Sequence, residues 1–214
     1  MLFFDAHSHN LVSHKKVVTI FNTYPNKLHT THYFSVGLHP WFIKKDNVLE
    51  DIANLETAVQ HPNCLAVGEC GLDKAIKTDF LFQEQLFKRQ ILLSEKVTKP
   101  LIIHCVRAYQ EIIRIKKELN VHQPWIIHGF NKNNQVAQSL LKNGVFLSFG
   151  SSIIHNKKLQ EVFKKVPLDA FLLETDTSTT SIQEIYRTAA TLKKMSLAEL
   201  QQILTENFTK IFTL

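Results

Sequence analysis

A chain of 214 residues, 44% hydrophobic and 21% charged with six glycines and six prolines, has the material for a sizeable core and is neither a disordered nor a fibrous polymer. Twenty-five Lys and Arg against 19 Asp and Glu leave a formal charge of +6, a modest field that favours phosphate-bearing partners without specifying one. No apolar run reaches the ~18 residues of a membrane span, the first residues lack the basic and apolar regions of a signal peptide, and three cysteines without C-x-x-C spacing argue against a disulfide framework or zinc knuckle. Buried thiols, a cytoplasmic location and a single domain over residues 1–214 are expected; neither a membrane nor an obligate protein partner is indicated.

Eight short apolar, β-branched or aromatic runs read as strands: LFFDAH, VVTIF, YFSVGL, CLAVGE, PLIIHC, PWIIHG, VFLSFG and FLLETD. Near-continuous apolar runs are the mark of parallel strands buried on both faces. From the third strand onward they alternate with helical patterns: VLEDIANLETAV, DFLFQEQLFKRQILLSEKV, AYQEIIRIKKEL, NNQVAQSLLKNG, KLQEVFKKV and IQEIYRTAATLKK. The pattern predicts an α/β protein of the (β/α)8 TIM-barrel type, with an open doubly wound sheet as the competing architecture. The first two connections, LVSHKK and YPNKLHTTH, are shorter than the dozen or so residues of a helical crossover. The barrel is therefore expected to be shortened or irregular in its first two βα units. The chain closes on SLAELQQILTENFTKIF, a helix whose Ser196 and Glu199 have capping-box spacing.

The opening DAHSHN sets two histidines two residues apart. On a strand His7 and His9 point the same way, as do Asp5 and Phe3, and two imidazoles on one face can grip one cation. In a chain with 11 histidines the pair alone is weak. Its neighbours strengthen it: Glu69 follows the fourth strand, His104 the fifth, His128 the sixth and Asp176 the eighth. A single histidine in such a place is commonly a core or rim residue, but six suitable groups at matching strand ends lie where a barrel builds its active site. Four imidazoles and two carboxylates are more than one tetrahedral cation takes. Two neighbouring ions, with Glu69 as a candidate bridge, would use them all and make hydrolysis the expected reaction. Nitrogen and oxygen donors without thiolate suit Zn, Mg, Mn or a similar divalent ion and do not choose among them. There is no nucleophile elbow, phosphate loop or dinucleotide fingerprint. The amides of SFGSS at 148–152 can line a site. Cys105, next to His104 on a strand, points away from it, which argues against a Cys–His nucleophile pair.

The blocks DAHSHN, VGLHPW, AVGECGLD, PLIIHC followed by VRA, IIHGF, FLLETD and LTENFTKIF, in this order and over most of the chain, resemble those of the TatD-type metal-dependent deoxyribonucleases of the amidohydrolase superfamily. The resemblance implies a TIM barrel with one or two divalent ions and hydrolysis of DNA phosphodiesters by a metal-activated water, through exonucleolytic trimming of single strands or strand ends. By position it implies His7 and His9 as the first ligand pair, Glu69 as the bridging acid, and His104 and His128 as single ligands. Asp176 is implied as both ligand and proton-accepting base, so Glu69 and Asp176 are the catalytic carboxylates. Arg107 is a candidate phosphate contact, its guanidinium able to fork onto two oxygens, or else a rim arginine in an ion pair. His39 matches a family histidine near the substrate that is not one of the usual ligands, and it is a candidate for steadying a phosphate. Asp73 is a candidate for orienting a ligand or holding a loop, and Asp5 for the same from within the first strand. Trp41 and Phe130 either stack on a base or pack.

Three features depart from the family. After ETD the chain reads TSTTSIQEIY where relatives carry Ala-Pro and a longer polar loop; HGFNK replaces the family's usual Cys, Ser and Gly around the Phe; and the first two helices are missing. None touches a proposed ligand, so metal binding and hydrolysis follow more firmly than DNA as substrate. The alternative is a superfamily hydrolase acting on a different ester or amide. A barrel that binds metal or nucleic acid without turnover is a third reading.

Overall fold

The computed structural model describes residues 1–11, 14–28 and 30–213; Val12 and Ser13 in the first short connection, His29 in the second, and Leu214 lie outside the described residues. The strands are β1 (Phe3–Ser8), β2 (Val17–Thr23), β3 (Phe34–Val36), β4 (Cys64–Asp73), β5 (Leu101–Val106), β6 (Trp125–Ile127), β7 (Val145–Phe149) and β8 (Phe171–Leu173). The helices are α1 (Val48–Ala58), α2 (Phe80–Val97), α3 (Tyr109–Leu119), α4 (Asn134–Lys142), α5 (Ser152–His155), α6 (Lys157–Lys165), α7 (Ile182–Lys193) and α8 (Leu197–Ile211). The strands follow one another through one eight-stranded sheet in chain order. Where register is defined, β1 with β2, β3 with β4, β4 with β5 and β7 with β8, the pairing is parallel. This is the expected (β/α)8 barrel, and the described parts of the first two connections hold no helix.

Two strand ends and one short helix that bear on the site differ from the sequence reading. β4 continues past Glu69 to Asp73 with all ten residues buried. β8 stops at Leu173, short of ETD, and beyond it Asp176, at φ 54°, makes only an isolated parallel bridge to Ser8. The SSIIH stretch folds into the short α5, with no counterpart in the sequence reading.

The chain divides into two compact units, residues 1–21 with 127–214 and residues 22–126. In the first, a file of rings forms the core: Phe130 against Phe149 at 5.5 Å, Phe149 against Phe163 and Phe163 against Phe171, each at 4.9 Å. Phe4 of β1 stacks on Phe208 of α8 at 4.4 Å, and each such buried ring contributes about 1.5–3 kcal/mol by leaving water. The Tyr186 hydroxyl of α7 accepts the Phe4 N–H at 3.0 Å and donates to the Phe4 carbonyl at 3.1 Å, which pins β1 to the helix. The capping box of Ser196 and Glu199 forms as expected. Beyond β8, the Asp176 N–H donates to the His7 carbonyl and the His9 N–H to the Asp176 carbonyl, both at 2.9 Å. The segment after the last strand is thereby set beside the first.

In the second unit, α2 packs on β4 and, through two buried amides, holds Leu38 beyond β3 and Asp73 at the end of β4. Gln90 accepts the Leu38 N–H at 2.7 Å and donates to the Leu38 carbonyl at 3.2 Å. Gln83 does the same for Asp73, at 2.8 and 3.1 Å. A buried amide satisfied in this way fixes a backbone position, because losing either bond strands a desolvated group. Gly71 lets β4 lie close on β5: its φ is 142°, and a Cβ there would stand 2.0 Å from the His104 carbonyl oxygen. All three cysteines are buried, as expected. No helix among the described residues is long and apolar enough to cross a membrane.

Candidate metal centre

Each unit gathers its own set of imidazoles and carboxylates. In the first, His7 is buried near the end of β1 while His9, just past it, is exposed. Both Nε2 atoms turn to the same Asp176 Oδ1, at 3.7 Å for His7 and 3.5 Å for His9. This agrees with the same-face spacing read from DAHSHN. His128, one residue past β6, sets its ring 4.4 Å from that of His7. One donor atom each from His7, His128 and Asp176 falls within 4.8 Å of the others.

Behind them lies Glu174, which is fully buried. Its Oε1 accepts the Gly129 N–H at 2.6 Å and is 3.6 Å from His128 Nδ1. Burial pushes the Glu174 carboxyl up, but His128, His7 and Ser148 outweigh that and hold it below the usual carboxylate value. Sequence reasoning passed over Glu174. Its signal was the i, i+2 spacing to Asp176 that also marks His7 and His9. Asp5 acts on the backbone leading to Asp176: it accepts the Thr175 N–H at 2.9 Å and the Thr175 hydroxyl at 2.7 Å. Burial raises the Asp5 carboxyl to about 7 against the opposing pull of those Thr175 bonds.

In the second unit the organising atom is Glu69 Oε1, which lies 3.0 Å from His39 Nε2 and 3.1 Å from His104 Nδ1. These three side chains also offer donor atoms within 4.8 Å of one another. The other ring nitrogen of His104 is 3.0 Å from Asp73 Oδ2, which also accepts the indole N–H of Trp41 at 2.7 Å. Burial raises the Asp73 carboxyl, but the bonds from Trp41, His104 and Ala75 bring it below its ordinary value. Asp73 thus joins the rings of His104 and Trp41 through one carboxylate oxygen. Asn22 of β2 holds the Glu69 N–H at 2.8 Å and accepts the Ser35 hydroxyl at 3.2 Å. No spacing in the sequence marked Asn22.

The donor chemistry fits divalent ions. Zinc bonds of ~2.0–2.2 Å to nitrogen and oxygen set tetrahedral ligand atoms roughly 3–3.5 Å apart, so each set needs only small side-chain rotations to close on an ion. The remaining expectations divide. Phe130 is 1% exposed and packs on Phe149, so it cannot stack on a base. Trp41 is 58% exposed. Arg107 is exposed just past β5 at φ 56°. Gly150, Ser151 and Ser152 of SFGSS line a cleft of about 420 Å³ with Asp176 at its edge.

Imidazole and carboxylate donors at and beyond the ends of parallel strands in a (β/α)8 fold define a metal-dependent hydrolase. Residues 4–213 match the TatD-related DNase family, and the chain belongs to it. It is 31% identical over 197 residues to an uncharacterized metal-dependent hydrolase of Bacillus subtilis (strain 168), covering 84% of this chain and 77% of that one. To a human protein named 3′-5′ RNA nuclease TATDN2 it is 30% identical over 151 residues, 65% of this chain and 19% of the human one. The crystal structure of a TatD homolog from Escherichia coli K12 shares the fold at a TM-score of 0.85, over 99% of this chain and 98% of that one, with 22% sequence identity.

Proposed function

We propose that the protein is a divalent-metal-dependent nuclease that hydrolyses phosphodiester bonds at the ends of single-stranded DNA. The observation that carries the reading is the pair of donor sets, His7, His128 and Asp176 in one unit and His39, Glu69 and His104 in the other. His7, His9, His128 and Asp176 would hold one ion, and Glu69 and His104 a second; Zn, Mg and Mn all suit these donors. A bound divalent ion supplies Lewis acidity, which makes water a nucleophile near neutral pH and offsets charge on the phosphate.

The side chains supply the rest. Asp176, half-exposed, accepts the proton of the attacking water on its carboxylate. Glu69 holds its position through Asn22 and His39. Arg107 and His39 are assigned to the phosphate, Arg107 through its forked donors. Asp5 and Asp73 keep Thr175 and His104 in place. The net charge of +6 draws a polyanion toward the molecule.

RNA is the second reading, favoured by the human relative's name. The test is cleavage of 5′-labelled DNA and RNA oligonucleotides by metal-stripped protein resupplied in turn with Mg, Mn, Zn and Co, beside Asp176→Asn. Shortening that requires metal and is lost in the variant supports the nuclease reading, and the ladder reports end-wise or internal cutting. Stoichiometric metal binding without cleavage of either polymer rejects it in favour of another ester or an amide.

A further inference from the structure

Beside the Glu69 set two large aromatic side chains stand in water, Trp41 58% and Phe42 59% exposed. Two adjacent exposed rings form a contiguous apolar patch, the kind of surface that marks a binding site, where a single exposed side chain does not. Neither is loose. The Trp41 indole N–H is bound to Asp73, and its ring meets those of His39 and His104 edge-on at 5.2 and 5.7 Å. Phe42 leans on His39 at 5.4 Å and edge-on to Tyr24 at 6.2 Å, and its N–H donates to the His39 carbonyl at 3.0 Å. The polar edge of Trp41 is thus spent inside the protein while much of its surface is left for a ligand. Core aromatics behave otherwise: Trp125 is fully buried between Phe87 and Lys116.

We propose that Trp41 and Phe42 form a stacking platform for a nucleobase of the substrate, placed beside the side chains that meet its phosphate. The inference rests on the nuclease reading and adds to it how the polymer is gripped. Phosphate contacts alone hold any polyanion, and an aromatic face adds a preference for strands whose bases are free to stack. Every base has a π-face, so the platform discriminates by strandedness and the presence of a base more than by sequence. Trp41 also shares Asp73 Oδ2 with His104, so a base seated on the indole bears on the side chain that orients a ligand.

Only two tryptophans exist in the chain, and Trp125 is fully buried, so quenching of intrinsic emission reports on Trp41. The experiment titrates single-stranded oligothymidylate and an abasic phosphodiester strand of equal length into the metal-loaded protein in Ca²⁺, following emission and, in parallel, anisotropy of a strand label. The base-bearing strand is expected to quench Trp41 and to bind about 10-fold more tightly than the abasic strand, the scale of one base–aromatic stack. Phe42→Ala and Trp41→Leu, each checked for unchanged metal content, are expected to shrink that ratio while abasic binding stays as in the wild type. Equal affinity for the two strands, or a ratio that survives both substitutions, overturns the platform and leaves the nuclease reading standing. Binding of neither strand, with no cleavage in Mg, Mn, Zn or Co, overturns both.

Discussion

Asp73 Oδ2 sits 3.0 Å from Nε2 of His104, on the side of the imidazole away from the nitrogen that faces Glu69. A ring held at both nitrogens has one orientation, and a carboxylate behind a histidine raises its strength as a donor. Asp73→Ala is expected to lower affinity for the ion at Glu69 and His104 by about 10–100-fold, the usual effect of losing such a partner. Calorimetric titration of the metal-stripped protein with Zn measures it. An unchanged affinity would mean that His104 is not a ligand or needs no such support.

Gly71 is the backbone condition for that geometry. A side chain at φ 142° is strained and its Cβ would meet the His104 carbonyl at 2.0 Å, so β5 has to move away or β4 has to distort. Gly71→Ala is expected to destabilise the protein by about 3 kcal/mol or more, in the range of severe substitutions. Urea unfolding followed by circular dichroism checks this, and a midpoint equal to the wild type's would contradict the close packing of the two strands.

Tyr186 closes the backbone groups of Phe4 with one hydroxyl. Tyr186→Phe keeps the ring but leaves a buried N–H and C=O without that partner, a loss of about 1–3 kcal/mol. The urea midpoint is expected to fall accordingly, and hydrogen exchange at the Phe4 amide to accelerate.

Glu84 on α2 gives the pH dependence a definite sign. Burial raises its carboxyl, while bonds from Lys88 at 2.9 Å and Arg114 at 2.7 Å pull it further down, to a net value below the ordinary 4.5. The unfolded chain therefore binds the proton more readily than the folded one, and stability from this group is present above the unfolded value and lost as pH falls through the folded value. Arg114→Met is expected to lower the urea midpoint at pH 7, with the gap to the wild type closing in acid as Glu84 takes up its proton below the ordinary 4.5. A gap that persists in acid would assign the effect to packing of the arginine stem.

The strands were legible because burial on both faces leaves apolar runs that no surface element imitates, and their polar ends stood out against that background. PLIIHC and PWIIHG announce His104 and His128 in this way. The longer reach of β4 was hidden because GECGLD is polar and glycine-rich, although all of it is buried; its glycines serve close strand packing and its acids bond to neighbours. Glu174 left only its i, i+2 spacing to Asp176 as a signal and Asn22 left none, because what each does depends on a backbone group far away in sequence. They work through the Gly129 and Glu69 amides, and which amide each meets is set by spatial neighbours.

The central claim is that the two donor sets hold divalent ions, and the most direct measurement is anomalous diffraction at the zinc edge from crystals of the zinc-loaded protein. The expected result is a peak ~2.0–2.2 Å from donor atoms of His7, His128 and Asp176, and a second at Glu69 and His104. Bound zinc with peaks at neither set would contradict the account.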